Sequence, residues 1–242
     1  MDEKVAAKPY KDKLDNLNRE SLRTQLDLID EDDIDVDDRI YIIQAMQCLE
    51  KADSFVEKNK QKDAISLYGS TIDLIKKIKS FNENNEQLTE ILASAYYNKA
   101  SCSHKLLSEK IYQDFQMRIQ GENAVNDYSQ FYPEEIIEDY LMSESYVTMD
   151  IDLKCQLYEN VSCIYCEVIK DYDKAKEYAL KSIRIKDDSG SAYSCLGNAY
   201  CELGEYMNAA KYYKKALEII PEDISVQNNL YYVNLKLREK ML

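Results

Sequence analysis

Five glycines and three prolines are few for 242 residues, and their scarcity leaves little material for turns. Long helices with short connections follow, and a strand-rich fold with many turns is excluded. No run of about 18 apolar residues occurs, so no membrane span is expected. The opening stretch, Met1 to Val5, is polar, and no secretory signal is expected there. Seven cysteines without an export signal read as reduced thiols, which points to the cytoplasm or the nucleus. There is one histidine, His104, and no Ser or Cys arrangement around it suggests a triad. No glycine-rich phosphate loop is present either. A catalytic constellation is therefore missing, no cofactor is called for, and a non-enzymatic chain is expected.

Positive charge is scarce in one half only. Residues 1–153 hold 32 acids and 18 bases, whereas residues 154–242 hold 13 of each. Asp27 to Asp38 has eight acids and no base; Ile119 to Leu153 has nine acids and no base. Such a surface repels phosphate, which argues against nucleic acid and for a basic protein partner. Asp33, Asp35 and Asp37 have the first spacing of a calcium loop. The glycine of that loop would be Asp38 and its bidentate glutamate Gln44, so an acidic linker is the better reading.

What the chain does have is helical periodicity. Leu14, Leu17, Leu22, Leu26 and Ile29 outline an amphipathic helix. It either caps the domain, folds into a groove as an internal ligand, or serves as a segment that other chains recognise. Residues 1–39 form this helix and the acidic linker, and residues 40–242 form the main domain.

The clearest stretch is 190–223. Tyr193, Leu196 and Tyr200 share one stripe, Gly204 breaks the helix, and a second stripe runs through Tyr206, Ala209, Tyr213 and Ala216. Gly197 and Ala209 are small where two helices must approach, and Pro221 ends the second helix. This hairpin resembles the tetratricopeptide repeat family in length and pattern: Tyr193, Leu196, Gly197, Tyr200, Ala209, Tyr213, Ala216 and Pro221 fall on its eight signature positions. One repeat cannot bury its own apolar face, so others should precede it.

Weaker matches lie at 45–78, 93–132 and 155–189. In the second, an insertion at 108–119 reads as helix extension, because Leu107, Ile111, Phe115 and Ile119 are four apart. Its second helix is expected at Glu122–Tyr128, with a separate helix starting at Pro133. In the third, Tyr158, Val161, Ser162 and Tyr165 fit only if the turn near Lys170 absorbs one residue. Residues 224–242 read as a capping helix with an apolar face at Val226, Leu230, Val233 and Leu237 and a polar back.

The resemblance implies an all-α, right-handed superhelical solenoid of antiparallel helix pairs, with one elongated repeat. It also implies a concave groove, lined by the first helix of each repeat, that takes an extended peptide. Carried over by position, that groove presents Leu49, Glu50, Asp53 and Glu57; then Tyr97, Asn98, Ser101, His104 and Lys105; then Glu159, Asn160 and Glu167; then Ser194, Asn198, Cys201 and Glu202. Asn98, Asn160 and Asn198 offer both donor and acceptor to a peptide backbone. The expected function is an interaction module for a neutral or basic protein segment: an adaptor, a scaffold or a dedicated chaperone, with self-association left open. The alternative is a co-chaperone that binds heat-shock chaperone tails. Chaperone-binding members of the family hold a carboxylate through Lys, Asn, Asn, Lys and Arg; here only Asn98 matches, the other positions being Leu49, Asp53, Gln156 and Asn160. A third reading takes Cys163 and Cys166, with Cys195 and Cys201, as a zinc or thiol site. The wide spacing of the latter two and the helical setting of the CxxC favour packing, and no metal is expected.

Overall fold

The computed structural model describes residues 36–78, 85–121, 123, 127–146 and 151–240. The amphipathic stretch at 14–29 and the acidic linker up to residue 35 lie outside them. Among the described residues there are nine α-helices and no strand. They are α1 (Val36–Glu57), α2 (Gln61–Lys76), α3 (Glu86–Ile119), α4 (Pro133–Tyr146), α5 (Ile151–Ile164), α6 (Tyr172–Ile185), α7 (Gly190–Glu202), α8 (Tyr206–Ile219) and α9 (Ile224–Glu239). The chain forms two compact units, Met1–Thr148 and Met149–Leu242. Each stacks two antiparallel helix pairs, the all-α tetratricopeptide-like fold that the sequence implies.

Helix starts follow from their caps. Asn85, Asp171, Ser189 and Asp223 each accept a hydrogen bond from the backbone N–H three residues on, at 3.0–3.1 Å. This satisfies a donor the helix cannot pair itself. The sharp turns inside three pairs use left-handed backbone at Asn59 (φ 57°), Lys170 (φ 64°) and Gly204 (φ 73°). Glycine adopts that conformation without strain, and asparagine tolerates it.

Within each pair, one pattern of small and large residues builds the interface. The first helix buries Ala52, Ala100, Ser162 or Gly197. The second buries Ala64, Ile136, Ala175 or Ala209 against it. One turn on come Tyr68, Tyr140, Ala179 and Tyr213, then Thr71, Ser143, Ser182 and Ala216, all buried. The hydroxyls at the last position are mostly satisfied across the pair or along the helix: Thr71 donates to the Ala45 and Leu67 carbonyls, and Ser182 donates to Glu159. Ser143 has no such partner.

The chain between these positions varies. Ala52 and Ala64 have the same separation in the chain as Gly197 and Ala209, whereas Ser162 and Ala175 stand one residue further apart. The extra residue is absorbed by a π turn at Tyr165–Ile169, closed by Asp171 N–H donating to the Tyr165 carbonyl at 3.0 Å. Ser162 Oγ still donates to the Ala175 carbonyl at 2.8 Å, so the interface survives the insertion.

The largest departure is α3. It runs unbroken for 34 residues and stops where Gly121 turns left-handed (φ 79°). Helix α4, starting at Pro133, packs against it. Asp127 and Tyr128 lie outside any helix, and residues 122 and 124–126 are not among those described. Ile136, Tyr140 and Ser143 of α4 take the places that Ala64, Tyr68 and Thr71 hold in α2. The far end of α3 exposes Tyr112, Phe115 and Ile119 along one stripe, while Asp114 on the opposite side is buried and paired with Lys110.

Helix α9 covers the last pair through Val226, Leu230, Val233 and Leu237, as a cap should. Its back is not polar: Ile224, Tyr231 and Leu235 are exposed on the other side.

Candidate functional site

The expected groove faces lie on the first helix of each pair: α1 and α3 in one unit, α5 and α7 in the other. On α1, Leu49 is buried and unavailable, Glu50 and Glu57 are exposed, and Asp53 is half-buried. Asp53 accepts a hydrogen bond of 2.6 Å from the Tyr68 hydroxyl. On α7 the equivalent pair recurs at the same separation along the chain: Tyr213 donates to Asn198 Oδ1 at 2.8 Å. Asn229 of α9 donates to the same oxygen at 3.2 Å. The Asn198 carbonyl is therefore engaged within the chain, and what it can offer a ligand is its N–H₂.

On α3, Tyr97 is buried with its ring edge-on to Tyr140, centroids 5.5 Å apart. His104 also meets the Tyr140 ring edge-on at 6.3 Å. Burial pushes its pKa down to about 4, so the imidazole is neutral at neutral pH. Asn98 and Ser101 are half-buried. Lys105 is exposed and donates to Asn59 Oδ1 at 2.9 Å. Beside that bond lies an open hollow of about 310 Å³, between the α1–α2 turn at Asn59 and Lys60 and the α3 residues Leu106 and Glu109.

On α5, Glu159 is half-buried and accepts from Ser189 Oγ at 2.5 Å and Ser182 Oγ at 3.2 Å. Desolvation raises its carboxyl above the ordinary range, and the two hydroxyls partly offset that. Asn160 is half-buried, and Glu167 is exposed on the π turn. On α7, Ser194 and Cys201 are half-buried, and Glu202 is exposed where the Tyr172 hydroxyl donates to it at 3.4 Å.

The expected groove residues thus sort into two kinds. Glu50, Glu57, Lys105, Glu167 and Glu202 face solvent. Asp53, Tyr97, Glu159 and Asn198 are held by neighbouring helices. Sequence reasoning missed the Tyr68 and Tyr213 hydroxyls as the atoms that hold Asp53 and Asn198. Their signal is readable afterwards: a tyrosine on the second helix at one fixed offset from an Asp or Asn on the first.

All seven cysteines are free thiols. Among the described residues, no three His, Cys, Asp or Glu side chains converge as metal ligands. Cys166 packs on Ala175 and Ala199, in a different apolar cluster from Cys195. Nor is any described helix long and apolar enough to cross a membrane.

Residues 190–223 match the family model of the tetratricopeptide repeat. By that match residues 190–223 are a tetratricopeptide repeat, and the helix pairs have the tetratricopeptide-like fold, which serves as a protein–protein interaction module. None of the curated protein sequences is similar enough to count as a relative. Among solved structures, the chain is similar to MamA at 21% identity, covering 75% of this chain and 81% of that one, with a TM-score of 0.46. It is similar to the first TPR domain of human RPAP3 at 20% identity, covering 57% and 94%, with a TM-score of 0.41. The second TPR domain of the same human protein, solved in complex with the HSP70 peptide SGPTIEEVD, matches at 17% identity over 55% and 98%, with a TM-score of 0.38.

Proposed function

We propose that this chain binds a neutral or basic protein segment along the groove faces of α1 and α3 and of α5 and α7, as an adaptor, a scaffold or a dedicated chaperone. The charge of these faces carries the reading. Among the groove positions described above, the solvent-facing ionised groups are Glu50, Glu57, Glu167 and Glu202 against one ammonium, Lys105, which already donates to Asn59. A carboxylate ligand would meet repulsion there, and a lysine- or arginine-bearing segment would meet complementary charge. The half-buried amides of Asn98 and Asn160 supply backbone-type hydrogen bonds beside those charges. The heat-shock-tail reading needs three cations and a second Asn at the positions filled by Leu49, Asp53, Gln156 and Asn160, and none of these residues is a cation.

Fluorescent peptides of basic, neutral and acidic-tail composition, titrated with the intact chain, test this. The basic peptide should bind at low salt and weaken as ionic strength rises. A Glu50→Lys/Glu57→Lys variant should weaken it about tenfold or more if the first unit is used, and Glu167→Lys/Glu202→Lys if the second is. Micromolar binding of the acidic-tail peptide, with none of the basic one, would overturn the proposal.

A further inference from the structure

The Sγ atoms of Cys163 on α5 and Cys195 on α7 lie 2.9 Å apart, although the two residues are distant in the chain. The CxxC spacing singles out Cys166 as the partner of Cys163, but Cys166 turns into a different apolar cluster. Cys195 sits instead with Ala179, Leu196, Leu180 and Tyr212, and Cys163 borders the same cluster. Cys195 is buried and Cys163 half-buried, so Cys163 is the nearer of the two to solvent. The hydrogen bond to Cys195, burial, and the charges of Glu167 and Glu159 all hold Cys163 in its thiol form. Metal binding would need thiolates and further ligands. A disulfide passes through a thiolate only while it forms; once made, it removes both S–H groups and leaves no charge in the apolar cluster. Two sulfurs already in contact need move less than about 1 Å to reach the ~2.05 Å of an S–S bond.

We propose that Cys163 and Cys195 form a site of reversible disulfide modification between neighbouring helix pairs, with a small-molecule disulfide of the glutathione class as co-reactant. The half-buried Cys163 loses its proton and attacks one sulfur of the small disulfide, whose S–S bond breaks and releases one thiolate. Cys195 then loses its proton and attacks Cys163 Sγ, which expels the second thiolate. Two protein S–H bonds are replaced by one S–S bond. The two protons pass to the two released thiolates, and the small disulfide is reduced by the two electrons the protein gives up. The bond ties α5 to α7 and rests on the sulfur geometry alone, independent of what the groove binds.

The full chain, equilibrated natively in buffers of oxidised and reduced glutathione at pH 7.5 and pH 9, tests the site by intact mass and peptide mapping. The expected product is about 2 Da lighter, contains a Cys163–Cys195 cross-linked peptide, melts about 5 °C higher, and reverts with dithiothreitol. Cys163→Ser and Cys195→Ala should each abolish the mass change and the melting shift while keeping the helical circular dichroism. Any of three results would overturn the proposal: both thiols staying reduced at both pH values, a Cys163–Cys166 bond, or a glutathione adduct on Cys163 that never resolves onto Cys195.

Discussion

Helix pair α7/α8 joins its two buried faces by the short stretch from Gly197 to Ala209, and pair α3/α4 takes about three times as much chain, from Ala100 to Ile136. The interfaces are nevertheless of one kind. A small residue on the first helix faces a buried tyrosine on the second, Tyr213 or Tyr140, with Ala216 or Ser143 one turn on. What identifies a pair is this contact surface, and the connection is free to grow. Much of the added chain is α3 itself, which runs on to Ile119, and closing the longer loop beyond it costs only about 1 kcal/mol more. Regular α7/α8 meets closely at Gly197 and Tyr213, whereas elongated α3/α4 is more polar and carries titratable groups at its interface. Four perturbations probe that difference.

The largest effect is expected at Gly197. A Cβ there would stand 2.6 Å from the ring of buried Tyr213, which has nowhere to go. Gly197→Val should cost more than about 3 kcal/mol in urea denaturation. Ala100→Gly, at the matching place in α3, should cost only about 1 kcal/mol, the difference in helix propensity.

Next comes Lys99 of α3, which pairs with Glu135 at 2.9 Å and with Asp139, whose side chain is 8% exposed, at 2.8 Å. Burial raises the Asp139 pKa, and Lys99 works against that rise. Lys99→Met leaves a buried carboxylate uncompensated and should cost about 3 kcal/mol. Lys186→Met, which breaks the exposed pair with Asp152, should cost less than about 1 kcal/mol. Equal losses in the two variants would dissolve the contrast between the pairs.

His104 gives a pH-dependent difference. Its folded pKa of about 4 lies below the ordinary 6.5 because burial disfavours the charged ring. The unfolded chain therefore binds the extra proton first. The stabilisation is fully present above pH 6.5 and is lost as pH falls towards 4, by about 1–2 kcal/mol for a half-buried ring. A His104→Asn variant should flatten the stability profile by that amount in this window. The matching residue of α7 is Cys201, which has no proton to gain there.

The smallest effect is at Ser143, whose buried hydroxyl has no partner. Ser143→Ala makes α4 resemble α8 at Ala216 and should raise stability by about 1 kcal/mol. A loss of stability would show that the hydroxyl is satisfied in solution.

The hairpin at 190–223 was legible nearly to the residue, because its signals are local: a cap at Ser189, a left-handed turn at Gly204, a stop at Pro221. The far end of α3 was legible for the same reason, since nothing breaks the helix before Gly121, but its start at Glu86 lies ahead of the opening expected at residue 93. The partner of α3 was not. Ala124 and Tyr128 have the same spacing in the sequence as Ile136 and Tyr140, and nothing local marks the second set as the one that packs on α3. Of the groove positions, their helices could be read in advance, but not their commitments. Asn198 is a polar residue on an amphipathic helix in sequence; its engagement by Tyr213 and Asn229 exists only once three helices meet. The contact of Cys163 with Cys195 is likewise a product of stacking, invisible to a CxxC search.

Helix α3 is anchored along its first two-thirds, where Leu88, Leu92, Ala95, Ala100 and Leu107 are buried, and largely bare beyond. Its backbone hydrogen bonds are the same throughout, but the penalty for opening them is not. Amide hydrogens between Leu92 and Leu107 can exchange only when the unit opens, whereas those near Ile119 exchange by fraying of the helix end. A single helix should therefore show a graded clock of deuterium uptake, slow at one end and fast at the other. A ligand seated on the Tyr112–Phe115–Ile119 stripe would announce itself by stopping the fast end.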